Sequence, residues 1–179
     1  MTQPFAPIQV RSELLAFAQE IAARQPKGAM EIGTYWGGTL FLLCRLAHDD
    51  ARIISLDQHQ GTLWGARKMI YYSFLKKRQR LHIVIGDSHG TQTHARVAQK
   101  VGSEKLDLLF IDGDHSYEGV KSDFDMYSPF VRSGGLVAFH DILSPHVCDY
   151  WGEVKSHYRH KEIVDDPNQK WAGIGLLYV

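Results

Sequence analysis

Short apolar runs alternate with amphipathic stretches along the chain. Residues near 10–24 carry apolar side chains at helical spacing, and Pro26 ends that pattern. The next apolar run, Ala29–Ile32, is short and continuous, as is typical of a strand buried on both faces. It leads through glycines into an apolar helix near 40–47. A strand followed by a helix in this way is the repeating unit of a parallel sheet.

The same alternation continues along the rest of the chain. Ser116 is placed to cap one of the later helices, and Ser133–Gly135 is typical of a turn. The last two strands are joined by a loop too short for a crossover helix, so they pair antiparallel or not at all. The pattern predicts an α/β fold, a doubly wound and mostly parallel sheet covered by helices on both faces. The predicted strands are 29–32, 52–57, 81–86, 106–112, 136–141, 162–164 and 174–179, and the later helices lie near 63–77, 91–101, 117–131 and 147–159.

The length of 179 residues suits a single domain, 1–179, in which residues 1–26 form an N-terminal helical extension. Lys and Arg together number 20, as do Asp and Glu, so no global basic field attracts nucleic acid or a membrane surface. The first residues lack the pattern of a signal peptide, and no apolar run reaches the roughly 20 residues that span a bilayer. Cys44 and Cys148 are too few for a disulfide framework. We therefore expect a soluble, cytoplasmic protein.

Acidic residues stand at the ends of five predicted strands, which are otherwise apolar. They are Glu31, Asp57, Asp87, Asp112 and Asp141. A single carboxylate of this kind would be a loop residue or a helix cap. Five together favour a ligand-binding rim, because open parallel sheets bind ligands outside the carboxyl ends of their strands.

The loop after the first strand holds Gly33, Gly37 and Gly38 ahead of a helix. Glycine lets the backbone approach a ligand closely, and the free N–H groups at a helix start favour an anion. The Gly-x-Gly-x-x-Gly spacing of a dinucleotide site is absent, which disfavours a nicotinamide-dependent oxidoreductase. Asp57 follows Gly33 at a distance where a carboxylate can accept hydrogen bonds from both hydroxyls of a ribose.

The third predicted strand ends in Gly86, Asp87 and Ser88. A carboxylate or hydroxyl at this point of the sheet edge can receive the amino group of an adenine. The alternative for Asp87 is a cap of the following helix, and the residues alone leave both interpretations open.

With these residues in place, the chain resembles class I S-adenosylmethionine-dependent methyltransferases. More narrowly, it is similar to the bacterial group related to cephalosporin hydroxylase proteins and small-molecule O-methyltransferases. Three segments, Glu31–Thr39, Phe110–Gly119 and Ser133–Asp141, carry the resemblance. It implies a Rossmann-like methyltransferase fold, a seven-stranded sheet with an antiparallel final strand. The implied activity is methyl transfer from S-adenosylmethionine to a small-molecule acceptor, at a hydroxyl oxygen.

The resemblance also implies which residues bind S-adenosylmethionine. The glycines of the first turn and Thr39 would hold its methionine part, and Asp57 would bind the ribose. Asp87 and Ser88 would flank the adenine, and Asp112 would lie near the sulfonium and the methionine amine. The full set of predicted cofactor residues is Glu31, Gly33, Thr34, Tyr35, Gly37, Gly38, Thr39, Asp57, Gln58, Gly86, Asp87, Ser88 and Asp112.

A divalent metal is a second candidate cofactor. Asp112, His140 and Asp141 end neighbouring strands, and related O-methyltransferases hold a metal at this place through acidic and polar residues. Magnesium, manganese or a similar ion would lower the pKa of an acceptor hydroxyl. The alternative is that His140 hydrogen-bonds a carboxylate with no metal present.

His115 lies on the same predicted rim and is a candidate general base. It could equally be a metal ligand or a structural contact to Tyr117. The predicted catalytic set is His115, Asp112 and His140. A protein that binds S-adenosylmethionine without transferase activity is left open. The short chain leaves few residues for a substrate lid, so the partner subunit of a homodimer could close the site.

Overall fold

The computed structural model describes residues 9–58, 64–76 and 78–179. The strands are β1 (Gly28–Ile32), β2 (Arg52–Asp57), β3 (Arg80–Ile85), β4 (Leu106–Ile111), β5 (Val131–His140), β6 (Arg159–Ile163) and β7 (Ile174–Tyr178). The helices are α1 (Arg11–Arg24), α2 (Gly38–Leu46), α3 (Trp64–Ser73), α4 (Thr91–Val101), α5 (Tyr117–Tyr127) and α6 (Val147–Val154).

All seven strands belong to one sheet, in the order β3-β2-β1-β4-β5-β7-β6. The strands β1 to β5 pair in parallel, whereas β7 runs antiparallel to both of its neighbours, β5 and β6. The predicted α/β class, with a mostly parallel sheet and an antiparallel final strand, is therefore confirmed. The order reverses between β1 and β4, and sheets of this kind bind ligands at such a reversal.

Alternate side chains of the strands enter hydrophobic cores on opposite faces of the sheet. On β1, Met30 joins the core that also contains residues of α4, α5 and α6. Its neighbour Ala29 joins the core that contains Phe17 of α1. Phe17 stacks on Phe110 of β4, with ring centroids 5.1 Å apart. The predicted N-terminal helix thus packs on the sheet, while residues 1–8 lie outside the described residues.

Three predicted helices are shorter in the structure. α3 ends at Ser73 rather than near 77, and residues 63 and 77 lie outside the described part of the chain. Beyond it, the Lys76 ammonium donates to the carbonyl of Ala47 at 2.8 Å, a tertiary contact that replaces a further helical turn. α5 and α6 each pass into a single 3₁₀ turn. None of the helices in the described residues has the length and apolar character to cross a bilayer.

The segment Ser133–Gly135 is part of β5 and not the predicted turn. β5 pairs with β4 on both sides of it, and the register between the two strands shifts there. Gly134 has a φ of +79°, and its N–H donates to the carbonyl of Val179. The N–H of Val179 in turn donates to the carbonyl of Gly135 at 3.2 Å. The prediction was wrong because a distant stretch of chain, and not the local sequence, satisfies this backbone.

Candidate active site

A cleft of about 1130 Å³ opens where β1, β2, β4 and β5 end. This is the edge of the sheet at which a parallel α/β fold binds ligands. The predicted site residues that line the cleft are Gly33, Thr34, Tyr35, Gly38, Thr39, Asp57, Gln58, Gly86, Ser88, Asp112, His115, His140 and Asp141. Three other predicted residues, Glu31, Gly37 and Asp87, do not line it.

Two glycines of the turn between β1 and α2 occupy positions that no other residue fits. Gly33 has a φ of +86°, and a Cβ atom there would lie 1.9 Å from the carbonyl oxygen of Asp112. Gly37 has a φ of +84°, and its Cβ would lie 2.5 Å from the ring of Tyr71. Glycine alone combines this backbone conformation with such close approach. These two glycines therefore let the turn pack tightly against the end of β4 and against Tyr71 of α3.

Asp57 fixes the same turn from the end of β2. One oxygen, Oδ2, accepts hydrogen bonds from the N–H groups of Thr34 and Tyr35 at 2.8 and 2.7 Å. Asp57 also lines the cleft. A carboxylate that accepts two backbone N–H groups is held in one orientation, so its cleft-facing position is preorganised for a ligand.

Asp87 organises the loop after β3 more than it caps a helix. Its Oδ1 accepts hydrogen bonds from the N–H of His89 at 3.0 Å and from the side chain of Gln58 at 3.2 Å. The N-cap position of α4 is occupied by Gly90, which has no side chain to cap the helix. Ser88 lines the cleft, and its carbonyl accepts the hydroxyl of Tyr127 at 2.7 Å. The predicted adenine contacts of Asp87 and Ser88 stay predictions.

Glu31 lies behind the turn and not in the cleft. Its side chain is fully buried within β1, and among the described residues neither carboxyl oxygen has a donor in hydrogen-bonding geometry. Burial raises the pKa of this carboxyl to about 8, although the nearby hydroxyls of Thr34 and Ser55 act in the opposite direction. The carboxyl is therefore neutral near pH 7. The predicted direct contact with a cofactor does not agree with this position, because the strand directs Glu31 into the protein interior.

Two carboxylates and a histidine converge where β4 and β5 end. Asp112, His115 and Asp141 each offer a ligand atom, and these atoms all lie within 4.8 Å of one another. His115 Nδ1 is 3.0 Å from Asp141 Oδ2, and its Nε2 is 3.5 Å from Asp112 Oδ1. Oxygen and imidazole donors of this kind suit Mn²⁺, Fe²⁺ or Zn²⁺, and the carboxylates also suit Mg²⁺. The donor set fits a divalent cation.

His140 lies beneath this group. Its Nδ1 is 3.0 Å from Asp112 Oδ1 and 3.5 Å from Asp141 Oδ2, while its Nε2 is buried without a hydrogen-bond partner among the described residues. His140 was predicted as the third metal ligand, and the structure adds His115 as a further candidate beside the same two carboxylates. The close contact of His140 with Asp112 matches the alternative in which this histidine hydrogen-bonds a carboxylate.

Electrostatic coupling keeps both histidines protonated around neutral pH. Hydrogen bonds to Asp112 and Asp141 raise the pKa of His115 to about 10. Burial opposes protonation of His140, yet the same two carboxylates raise its pKa to about 9. Burial also acts against ionisation of Asp141, but the two imidazolium groups hold its pKa well below the usual range. In this state His115 carries a proton, and its role as a general base stays a prediction.

The cleft is also lined by residues that sequence reasoning did not place in the site, among them Gln9, Ser144 and Trp171. Gln9 donates from Nε2 to Thr39 Oγ1 and to Asp112 Oδ2, both at 3.3 Å. Gln9 and Trp171 belong to segments far from the recognised motifs, and their positions follow only from the folded chain.

A family model described as Methyltransferase domain matches residues 30–142. This match covers more than half of the chain, and the chain belongs to that family. The resemblance to class I methyltransferases is thereby confirmed at the level of the family.

Two curated relatives and one solved structure illustrate the similarity. The uncharacterized protein y4gI of Sinorhizobium fredii is 28% identical over 169 residues, which cover 88% of this chain and 18% of that protein. Catechol O-methyltransferase B of Danio rerio is 24% identical over 143 residues, which cover 79% of this chain and 52% of that enzyme. The chain thus spans about a fifth of the length of y4gI and about half of the length of catechol O-methyltransferase B.

The solved structure is the O-methyltransferase TomG of Streptomyces achromogenes in complex with S-adenosylmethionine. It matches with a TM-score of 0.69 at 16% identity, over 94% of this chain and 79% of TomG. At this level of identity the likeness establishes a shared fold. The Rossmann-like methyltransferase fold is therefore confirmed.

Proposed function

We infer that this chain transfers a methyl group from S-adenosylmethionine to a hydroxyl oxygen of a small molecule, assisted by a divalent cation. The observation that carries this proposal is the shared cleft. The glycine turn, Asp57 and the cluster of Asp112, His115 and Asp141 all face one volume at the switch point of the sheet. Membership of the methyltransferase-domain family supports the same conclusion.

The cofactor proposal rests on the shape of the turn. Gly33 and Gly38 line the cleft and carry no side chain, so the backbone is bare where the methionine part would lie. Asp57, which the turn holds at the cleft, would receive the ribose hydroxyls, and Ser88 and Gly86 line the part of the cleft next to it. TomG, which shares this fold, was solved with S-adenosylmethionine bound. When bound here, this cofactor would supply an electrophilic methyl group.

The acceptor end of the cleft would hold the hydroxyl that is methylated. Asp112 and Asp141 would hold the cation together with His115, and a bound cation would lower the pKa of the acceptor hydroxyl. The two carboxylates now neutralise two imidazolium groups, so they already stabilise positive charge at this place. His115 is half exposed and can release its proton to solvent. The remaining task of the protein is to align acceptor and methyl group.

Binding and activity are tested separately. Calorimetric titration with S-adenosylhomocysteine and with NAD examines the cofactor class, and we expect binding of the first only. Incubation with labelled S-adenosylmethionine, Mn²⁺ and a panel of phenols and sugars examines transfer. NAD binding without S-adenosylhomocysteine binding would overturn the proposal, and cofactor binding without any labelled product would favour the non-catalytic alternative. The homodimer and the cytoplasmic location expected from the sequence stay predictions.

A further inference from the structure

Trp171 exposes a large aromatic side chain at the mouth of the cleft. It lies in the loop between β6 and β7 and is 57% exposed. The other aromatic rings that line the described cleft, Tyr35 and Trp36, belong to the glycine turn above Asp57. Exposing this much of an indole to water forgoes part of the free energy that its burial would provide. An aromatic side chain in a ligand cleft is a common way to bind the ligand.

The loop places Trp171 next to the acidic cluster. The carbonyl of Ala172 accepts the N–H of Leu143 at 3.0 Å, and the carbonyl of Gly173 accepts the N–H of Ile142 at 3.3 Å. Ile142 directly follows Asp141, so these bonds join the Trp171 loop to the strand end that carries the acceptor machinery. Trp171 therefore borders the acceptor half of the cleft.

A buried carboxylate on α1 holds this loop in place. Glu13 is 1% exposed and accepts hydrogen bonds from the N–H of Asp165 at 3.2 Å and from the N–H of Gly173 at 2.9 Å. It also accepts a hydrogen bond from the side chain of Gln169, whose Nε2 donates in addition to the carbonyl of Trp171 at 3.0 Å. Glu13 thus contacts the loop near both of its ends and, through Gln169, at Trp171 itself.

We propose that Trp171 recognises the acceptor, that the acceptor is a sugar ring, and that Glu13 is the positioning residue for Trp171. This inference rests on the proposed methyl transfer. The C–H face of a pyranose is apolar and packs against the flat face of an indole. Its hydroxyls point outward from the ring, toward the hydrogen-bonding groups of the cleft.

The polar surroundings favour a sugar over a phenol. Near the acidic cluster the cleft is lined by Gln9, His115, Asp141 and Ser144, which all bind hydroxyl groups well. A planar phenol gains most when both of its faces are covered by apolar groups. Among the described residues of this half of the cleft, Trp171 is the sole Trp, Tyr or Phe, so the lining offers one large apolar ring.

The test compares acceptors and variants in the same assay. Wild type is assayed with Mn²⁺ and S-adenosylmethionine on methyl α-L-rhamnopyranoside, methyl α-D-glucopyranoside and pyrocatechol. We expect product from a glycoside. Trp171→Ala should raise KM for that glycoside at least tenfold, with kcat within threefold and the Kd for S-adenosylhomocysteine unchanged. Trp171→Phe should recover most of the loss, and Tyr72→Ala, at an exposed aromatic outside the cleft, should behave as wild type.

The role of Glu13 has its own readout. Glu13→Gln keeps an oxygen acceptor and should raise KM less than Glu13→Ala does. Gln169→Ala removes the link between Glu13 and Trp171 together with the hydrogen bond that Gln169 Oε1 accepts from the N–H of Asp166, but it leaves the backbone contacts of Glu13 in place. It should therefore raise KM with a smaller fall in Tm than Glu13→Ala, even where Glu13→Ala does not fold. A merely structural role of Glu13 would instead change Tm and kcat and leave KM for the glycoside unaffected.

The outcomes separate this inference from the proposed function. Methylation of pyrocatechol but of neither glycoside would overturn the sugar assignment, and so would an unchanged KM in Trp171→Ala. Glycoside binding is measured separately, as saturable quenching of tryptophan fluorescence in protein saturated with S-adenosylhomocysteine. Binding of that cofactor with neither quenching nor glycoside turnover also overturns the assignment and leaves the cofactor proposal standing. Absence of S-adenosylhomocysteine binding overturns the proposed function itself.

Discussion

The carbonyl oxygen of Asp112 lies 1.9 Å from the position that a Cβ atom on Gly33 would take. The turn after β1 and the end of β4 are therefore in direct backbone contact. The N–H of Asp112 also donates to the carbonyl of Ile32 at 2.9 Å, which fixes the position of the end of β4 relative to the end of β1. One contact thus joins the two halves of the site, the glycine turn and the acidic cluster.

We expect Gly33→Ala to damage both halves at once. The added methyl group must displace the carbonyl of Asp112, and alanine disfavours a φ of +86°. The loss of unfolding free energy should be about 2 kcal/mol or more, with at least tenfold weaker binding of S-adenosylhomocysteine. Gly152→Ala, at a helical position with open space around it, is the control and should leave stability equal or slightly higher. Urea unfolding and calorimetry give both quantities, and a Gly33→Ala protein with wild-type affinity would contradict the assignment.

Asp57 has two tasks, and two variants separate them. Asp57→Asn keeps an oxygen that can accept the N–H groups of Thr34 and Tyr35 but removes the charge. We expect this variant to fold normally and to bind S-adenosylhomocysteine about tenfold more weakly. Asp57→Ala removes both functions, so its affinity should fall about a hundredfold and its Tm should drop as well. Calorimetry and thermal unfolding measure these effects, and full affinity in Asp57→Ala would exclude a ribose contact.

Metal removal tests the cluster at the ends of β4 and β5. We expect EDTA to lower methyl transfer and Mn²⁺ to restore it. Asp141 has a φ of +60°, a conformation that asparagine tolerates, so Asp141→Asn should fold and bind Mn²⁺ at least tenfold more weakly. Paramagnetic resonance of added Mn²⁺ measures this directly. His115→Ala should weaken Mn²⁺ binding more than His140→Ala does. The opposite order would favour His140 as the ligand, and full activity in EDTA would remove the metal from the proposal.

Glu31 should make stability depend on pH in a defined window. Its pKa is about 8 in the folded protein against an ordinary value of 4.5, so the folded state retains a proton that the unfolded chain loses. The contribution of this carboxyl to stability is present in full below pH 4.5 and is lost as the pH rises through about 8. In Glu31→Gln the side chain stays neutral at every pH. From pH 5 to pH 9 the free energy of unfolding of this variant should therefore rise by at least about 1 kcal/mol relative to that of the wild type. Urea unfolding at pH 5 and at pH 9 measures this difference. Glu118→Gln, at an exposed carboxylate, is the control. Equal pH profiles for Glu31→Gln and wild type would refute the raised pKa of Glu31.

The sheet was predictable because each inner strand is a continuous apolar run. Arg52–Asp57 and Thr91–Val101 match their predicted bounds, and the antiparallel final pairing follows from the length of the last loop. β6 begins three residues before its prediction because Arg159–Ile163 is an exposed strand at the sheet edge with little apolar pattern. Local periodicity describes strands that are buried on both faces well and edge strands poorly.

The cofactor half of the site was also readable, since glycines and carboxylates at strand ends have local causes. Glu31 was not readable in this way. The sequence shows that Glu31 lies near the end of a strand, but it does not show whether the side chain faces a ligand or the core. The contacts of Glu13 with the loop that carries Trp171 join residues about 150 positions apart. No pattern along the chain signals such a pairing.

The matched family segment, residues 30–142, holds the glycine turn, Asp57 and the acidic cluster. Gln9, Glu13 and Trp171, which shape the other end of the cleft, lie outside it on both flanks. On the proposed assignment, the central stretch encodes the cofactor site and the acidic cluster, and the flanks add the residues that select the acceptor. Substrate preference can therefore diverge through changes in the flanks while the chemistry of the centre is retained.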